Sequence, residues 1–445
     1  MDKNTTVGND KIRSLFDAGT FVELGAFVRS SASAEVYDGV ICGYGSMGGK
    51  LVFAFAQDMD RMKGAMDAAG AKKLRTLYDM ALKNGAPIVG LFDSAGAAVY
   101  EGSAVLGAYG EWLACISSAS GIVPQIAVIE GVCAGVAAVA ASMFDIVLTV
   151  KDKTQMYVTS PFILGENTAT AEAAAKSGLA AAVCGCEKCA AAKVRELIEL
   201  LPQNNCDRAC AGAEDPNRAI APDAQLPGAL LDGGVMSELY ADFAPEMTVA
   251  LGRMGGETVG VVYAHGALTV DAARKATKFI SFCDCFGITL VTLVDSEGVS
   301  VDEAAQSAPA AAVFGKLASA YANASCAKIT VTVGKAYGSA YTLLGSKALG
   351  ADVAFALPNA VISTMAPDKA VAFVWNDKVT NETSREDVEK EWIETYATPE
   401  KAAANGDIDD VIAPEELRAR LCSAIYMLAA KTNGALTRKH GALPL

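Results

Sequence analysis

APIVGLFDSAG (Ala86–Gly96) and ITLVTLVDSEG (Ile288–Gly298) read as one element written twice: an apolar, β-branched run that ends at an aspartate and passes into a glycine-containing turn. The surroundings repeat as well. Met47-Gly48-Gly49 and Met254-Gly255-Gly256 each precede a strand, and helical patterns then run from about Asp67 to Asn84 and from about Asp271 to Phe286. Past each aspartate the plan is a helix, a strand and a glycine pair that opens a further helix: IAVIEGVCAGVAA with Gly131 and Gly135, then ITVTVGKAYGSAY with Gly334 and Gly338. Asp93 lies 38 residues before Gly131, and Asp295 lies 39 before Gly334. Short strands FDIVLTV (144–150) and ADVAFAL (351–357) follow. Such self-similarity predicts an α/β chain of two domains related by internal duplication, each a right-handed superhelix of strand and helix units. Between the copies, 202–234 is rich in Pro, Asn, Asp and Gly and reads as a surface connection. It divides the chain into 1–234 and 235–445.

Two domains also suit the 445-residue length, which exceeds what one core ordinarily supports. With 52% hydrophobic and 20% charged residues the chain can bury large cores. A net charge of -14, with no offsetting basic run, excludes nucleic acid as the expected partner. Any polyanionic ligand must then be held by backbone donors and a few cations. The first residues lack a basic start followed by an apolar core, so a cytoplasmic location is expected. The twelve cysteines show no disulfide-scaffold spacing and read as reduced thiols. Ile126–Val150 is nearly all apolar, but Glu130, Asp145 and two glycines make it a buried strand, helix and strand rather than a membrane span.

Chemistry is expected at the two glycine turns. A strand that passes through glycine into a helix gathers backbone N–H groups at one spot, which stabilises an oxyanion. Cys133-Ala134-Gly135-Val136 and Tyr337-Gly338-Ser339-Ala340 both have this form. Close packing of helix on strand explains one such turn alone; two equivalent turns in two domains point to two carbonyl-bearing ligands. Side-chain catalysts are scarce. His265 lies in a short connection and His440 in a tail, so neither reads as a general base. Acid candidates are Asp93, Glu101, Asp295, Glu297 and Asp302, with helix capping the ordinary role of an aspartate after a strand. Cys184, Cys186, Cys189, Cys206 and Cys210 lack the spacing of zinc knuckles, and no metal is expected.

These motifs, together with Arg13–Asp17, Gly19–Leu24, DGVICGYGSMGGKLVFAFAQD (38–58), MYVTSP (156–161) and SKALGAD (346–352), resemble the carboxyltransferase subunits of biotin-dependent acyl-CoA carboxylases of the propionyl-CoA carboxylase β type. They are similar also to those of the related sodium-pumping acyl-CoA decarboxylases. The resemblance covers nearly the whole chain. It implies a crotonase-like (ββα superhelix) fold in each domain, with acyl-CoA against the first and biotin against the second. The site would form between one subunit and its partner in a homodimer or a hexamer built as a trimer of dimers. Main-chain N–H groups of Gly135 with Val136, and of Ser339 with Ala340, would hold the thioester enolate and the biotin oxygen. Ser94, Ala95, Gly96 and Ala97 match the loop lining the CoA site, and Gly298, Tyr337 and Gly338 fall on the biotin side. No Ala-Met-Lys-Met attachment motif occurs, so biotin would arrive on a separate carrier protein, with a biotin carboxylase or a membrane decarboxylase subunit as further partner. Departures fall at Ala95–Ala98, where the family carries Gly-Gly-Ala-Arg, and at Ser296–Ser300, where it carries Pro-Gly-Phe and a second Pro-Gly. Two other readings stay open: an enoyl-CoA hydratase or isomerase on the same fold, needing carboxylates beside Gly135, and a non-catalytic scaffold.

Overall fold

A computed structural model describes residues 6–31, 33–159, 168–212, 214–221 and 224–431. His440 and the end of the MYVTSP motif lie outside them. The chain divides into two compact units, Met1–Ala209 and Cys210–Leu445.

In the first unit, β1 (Val22–Leu24), β2 (Val40–Met47), β3 (Lys50–Gln57), β4 (Ile88–Phe92), β5 (Gln125–Ile129), β7 (Ile146–Val150) and β9 (Ala182–Cys184) form one seven-stranded sheet in that order. A second ribbon pairs β6 (Val132–Ala134) in parallel with β8 (Gln155–Tyr157). The sheet is mixed: β1–β2 and β2–β3 are antiparallel and every later pairing is parallel. Hairpin geometry explains the first change. Met47 pairs with Lys50 across Gly48 and Gly49, whose φ of 60° and 80° are the left-handed values a two-residue turn needs. β4, β5 and β7 are buried along their whole length, as expected of parallel strands covered on both faces.

The second unit repeats this plan with β10 (Met236–Leu239), β11 (Met247–Met254), β12 (Glu257–Ala264), β13 (Thr289–Ser296), β14 (Lys328–Tyr337), β15 (Val353–Ala356) and β17 (Asp410–Val411). Its pairings follow the same sequence, two antiparallel and then four parallel. β16 (Val361–Ser363) pairs with the end of β14 as β8 pairs with β6. One difference is visible: β14 runs unbroken through ten residues, where the first unit interrupts the strand at Glu130 and Gly131.

Helices cover the sheets. Ala68–Asn84 begins under Asp67, whose carboxylate accepts the Gly70 N–H at 2.7 Å, and stops at Gly85 with φ 58°. Its counterpart Val270–Cys285 begins under Thr269, which accepts from Ala272 at 3.0 Å. The first core centres on Trp112, stacked on Phe92 at 5.7 Å and met edge-on by Phe55 at 5.7 Å.

The connection 202–234 lies largely at the surface, as its composition suggests, but a few of its apolar residues anchor it. Beyond Ala209 it packs with the second unit: Leu230 and Leu231 are fully buried, Ile220 nearly so, and all three join that unit's core. Proline and glycine there mark turns, while the apolar residues between them find a core. Among the described residues no helix is long and apolar enough to cross a membrane, and 126–150 folds as strand, helix and strand.

Candidate functional site

β4 delivers the chain into Asp93-Ser94-Ala95-Gly96-Ala97, and tertiary hydrogen bonds fix that loop. Ser94 N–H donates to the Val132 carbonyl at 2.8 Å, Ala95 N–H to the Lys63 carbonyl at 2.9 Å, and Gly96 N–H to the Ser94 hydroxyl at 3.0 Å. Met66 then brackets Ala97 by accepting from Ala98 and donating to Gly96. The second unit reproduces the bracket with Leu268 around Val299, donating to Gly298 at 2.8 Å and accepting from Ser300 at 3.0 Å. Gly96 and Gly298 share φ near 110°, at 112° and 111°.

Neither strand-ending aspartate caps a helix, contrary to the ordinary expectation. The helix after Asp93, Ser103–Ala119, begins at Gly102 without a side-chain cap. Asp93 instead folds over Gly131 and accepts the Val132 N–H at 3.3 Å; Asp295 folds over Gly334 and accepts the Lys335 N–H at 2.8 Å. A Cβ at Gly131 would sit 2.0 Å from the Asp93 carboxylate, and one at Gly334 2.3 Å from that of Asp295. Glycine is therefore required by contact, and each aspartate ties the strand that leads to the next turn.

That turn is alike in both units. After β6, Gly135 takes φ 60° and the helix Val136–Ser142 starts; after β14, Gly338 takes φ 57° at the head of Gly338–Leu343. Gly135 donates its own N–H to the Tyr157 carbonyl at 2.9 Å, so its part is to shape the turn. The N–H groups of Val136, and of Ser339 and Ala340, lie in first helical turns, which have no intrahelical acceptor. Val136 and Ser339 are exposed, while Ala340 and Tyr337 are buried. A cavity of about 540 Å³ opens at Gly338 and Ser339, with Tyr341, Ser363, Tyr396 and Asp407 also on its wall. Neighbouring Cys133 is no nucleophile, since burial pushes its thiol up to about 12.

The remaining acid candidates each make a local contact, though the buried Oε1 of Glu101 has no hydrogen-bond partner among the described residues. Glu101 accepts the Ala68 N–H at 2.9 Å, Glu297 pairs with Lys335 at 2.6 Å, and Asp302 caps Glu303–Gln306 through Ala305 at 2.8 Å. His265 is exposed beside Thr248. An ionic cluster that sequence patterns did not reveal centres on Lys11, 3.2 Å from Glu130, 3.1 Å from Glu187 and 3.7 Å from Asp93. Burial pulls the Lys11 ammonium down, but Glu130 and Glu187 outweigh it and the net shift is upward. Burial likewise raises the Glu130 carboxyl, with Lys11 opposing. Glu130, a lone acid closing an apolar strand, was the available signal. Also missed was the loop Met62-Lys63-Gly64, with three consecutive left-handed residues under Ala95; Lys63-Gly64 is a weak turn signal. No group of three or more potential metal ligands is present among the described residues.

Comparison with known proteins gives this geometry its context. Residues 2–443 match the carboxyl transferase domain family. The propionyl-CoA carboxylase beta chain of Saccharopolyspora erythraea is 33% identical, the alignment covering 100% of this chain and 91% of that one. The methylmalonyl-CoA decarboxylase subunit alpha of Propionigenium modestum is 33% identical over 98% and 92%. Among solved structures, the transcarboxylase 12S hexamer with hydrolysed methylmalonyl-coenzyme A superposes with a TM-score of 0.93 at 29% identity, covering 100% of this chain and 93% of that chain. The repeated sheet, the two equivalent turns and these matches agree: the chain belongs to the carboxyl transferase family, as a carboxyltransferase of the propionyl-CoA carboxylase and methylmalonyl-CoA decarboxylase type with a crotonase-like fold in each unit.

Proposed function

We propose that this chain moves a carboxyl group between biotin, carried on a separate protein, and the α-carbon of a short acyl-CoA thioester, with the first unit on the acyl-CoA side and the second on the biotin side. The observation that carries the reading is the repeated turn, in which a glycine with φ near 60° precedes first-turn N–H groups at the same place in two homologous units. Biotin supplies the labile carboxyl group and a ureido nitrogen able to hold the α-proton. Val136 N–H would stabilise the thioester oxygen as it gains enolate charge, with Gly135 shaping the turn; Ser339 and Ala340 N–H groups would hold the ureido oxygen. Donors fixed in this way lower the barrier by about 3 kcal/mol each, and because the ureido nitrogen would take the α-proton, no side-chain base is required. The cavity beside Gly338 and Ser339 has the volume of a small-ligand site and hydroxyls from Tyr341 and Ser363, which fits a polar bicyclic urea. Ser94–Ala97, held rigid by its own hydrogen bonds, would line the CoA chain, and Gly298 and Tyr337 would back the biotin side.

The relatives named for carboxylases and for decarboxylases support either direction of transfer. The transcarboxylase hexamer supports a homodimer or a trimer of dimers, working with a carrier protein and a biotin carboxylase or membrane decarboxylase subunit. A cytoplasmic post, peripheral to a membrane complex in the decarboxylase case, accords with a chain of free cysteines. The test is incubation of purified protein with free biotin and malonyl-, methylmalonyl- or glutaconyl-CoA. Carbon dioxide release that requires biotin is expected, and Gly135→Pro should abolish it, because proline cannot take φ 60°. Solvent deuterium exchange into the thioester without biotin, or full turnover by Gly135→Pro, would overturn the assignment.

A further inference from the structure

Cys186-Glu187-Lys188-Cys189 opens the helix Glu187–Leu200, and nothing in the carboxyl-transfer reading uses it. The two sulfurs lie 2.6 Å apart, both cysteines are exposed, and the Cys189 backbone N–H donates to the Cys186 sulfur at 3.2 Å. Glu187, between them, is held by Lys153 at 2.9 Å and Lys11 at 3.1 Å, which fixes the first helical turn and with it the spacing of the sulfurs. We propose that Cys186 and Cys189 form a thiol–disulfide exchange site, whose substrate class is the low-molecular-weight disulfide and whose product is a Cys186–Cys189 disulfide.

The two thiols differ in a way that assigns their order. Cys186 caps the helix and its sulfur accepts the Cys189 backbone N–H at 3.2 Å, which stabilises a thiolate there, while Cys189 lies inside the first turn. Cys186 is therefore the attacking sulfur and Cys189 the resolving one. The Cys186 thiolate attacks one sulfur of RSSR, forming a protein–S–S–R mixed disulfide and releasing RS⁻. Cys189, losing its proton to solvent or to RS⁻, then attacks the Cys186 sulfur, closing the internal disulfide and expelling the second RS⁻. Two protein thiols are oxidised and one small disulfide is reduced to two thiols.

At four buried cysteines the chemistry is disfavoured. Burial pushes the thiols of Cys42, Cys133 and Cys326 up to about 12 and that of Cys184 to about 11. The inference is independent of the carboxyl-transfer reading.

The experiment equilibrates the reduced full-length protein with graded ratios of reduced to oxidised glutathione, quenches in acid, unfolds, alkylates, and maps peptides by mass spectrometry. The peptide holding both cysteines should pass reversibly from two alkylated thiols to none, losing two hydrogens, while Cys133 and Cys184 remain alkylated. Cys189→Ser should accumulate glutathione on Cys186, and Cys186→Ser should form the adduct on Cys189 at least about tenfold more slowly. Circular dichroism verifies that both exposed-site variants fold. The proposal fails if both thiols stay alkylatable at every ratio, if either bonds instead to Cys184, Cys206 or Cys210, or if a co-purifying metal ion shields the pair until chelated.

Discussion

The sixth residue of two equivalent helices is a lysine in both units, but its surroundings differ. Lys73 is buried against the buried carboxylate of Asp38 at 3.0 Å, whereas Lys275, equally buried, donates to the carbonyls of Phe243 at 2.8 Å and Ala244 at 3.3 Å. The arginines reverse the pattern. Arg195 is half-exposed and 2.9 Å from Asp17, which accepts from the hairpin N–H groups of Gly48 and Gly49; Arg418 is fully buried and 2.7 Å from Asp232, which accepts from those of Gly255 and Gly256. Duplication has thus kept the backbone anchors and reassigned which cation is withdrawn from water. Removing one member of a buried pair costs far more than removing a solvated one, since the other charge stays buried. Each unit therefore has its own electrostatic weak point.

That contrast is open to a crossed set of substitutions. Lys73→Met and Arg418→Met should each destabilise by about 3 to 5 kcal/mol, leaving Asp38 and Asp232 without their cations. Arg195→Met should stay within about 1 kcal/mol of the parent, and Lys275→Met should cost less than Lys73→Met, because it leaves carbonyls rather than a buried charge without a partner. Urea unfolding reads all four, and equal losses in both units would erase the distinction.

The shared feature gives the next largest effect. Gly131→Ala and Gly334→Ala should each cost about 1 to 3 kcal/mol by forcing a Cβ against Asp93 or Asp295. Adding Asp93→Gly to Gly131→Ala should recover most of the loss, and likewise Asp295→Gly with Gly334→Ala. Absence of that rescue would show that the aspartates are not what requires glycine there.

The smallest effect is a slope. Burial pulls the Lys275 ammonium down from 10.5 to about 8. Below about pH 8 the folded and unfolded chains both carry the proton, and the folded chain bears the full desolvation penalty. Between about pH 8 and 10.5 the unfolded chain holds more protons than the folded one, so stability rises with pH across that window. Melting temperatures of the parent and of Lys275→Met should diverge there in slope; parallel curves would remove Lys275 from the account.

Legibility followed distance along the chain. Helix bounds near 68–84 and 270–285, the Gly-Gly hairpins and the strand before each aspartate were readable because a few neighbouring residues determine them. The burial of Leu230 and Leu231 was hidden in a run whose composition signals only turns. Asp93 resembled a cap because its true partner, the Val132 N–H, lies 39 residues away. Lys11 carried no pattern at all; its meaning comes from Glu130 and Glu187, far along the chain.

The amino-acid order alone determined the duplication, the alternation of strands and helices, and the two glycine turns, since backbone conformation and amphipathic period are local properties. Only the tertiary structure decided which N–H groups those turns leave to offer and which charges are paired. Gly135 commits its N–H to Tyr157, Lys73 finds Asp38, and Lys275 finds only carbonyls. Hydrogen bonding and desolvation change steeply over a few ångströms, and those distances exist only once remote segments have packed.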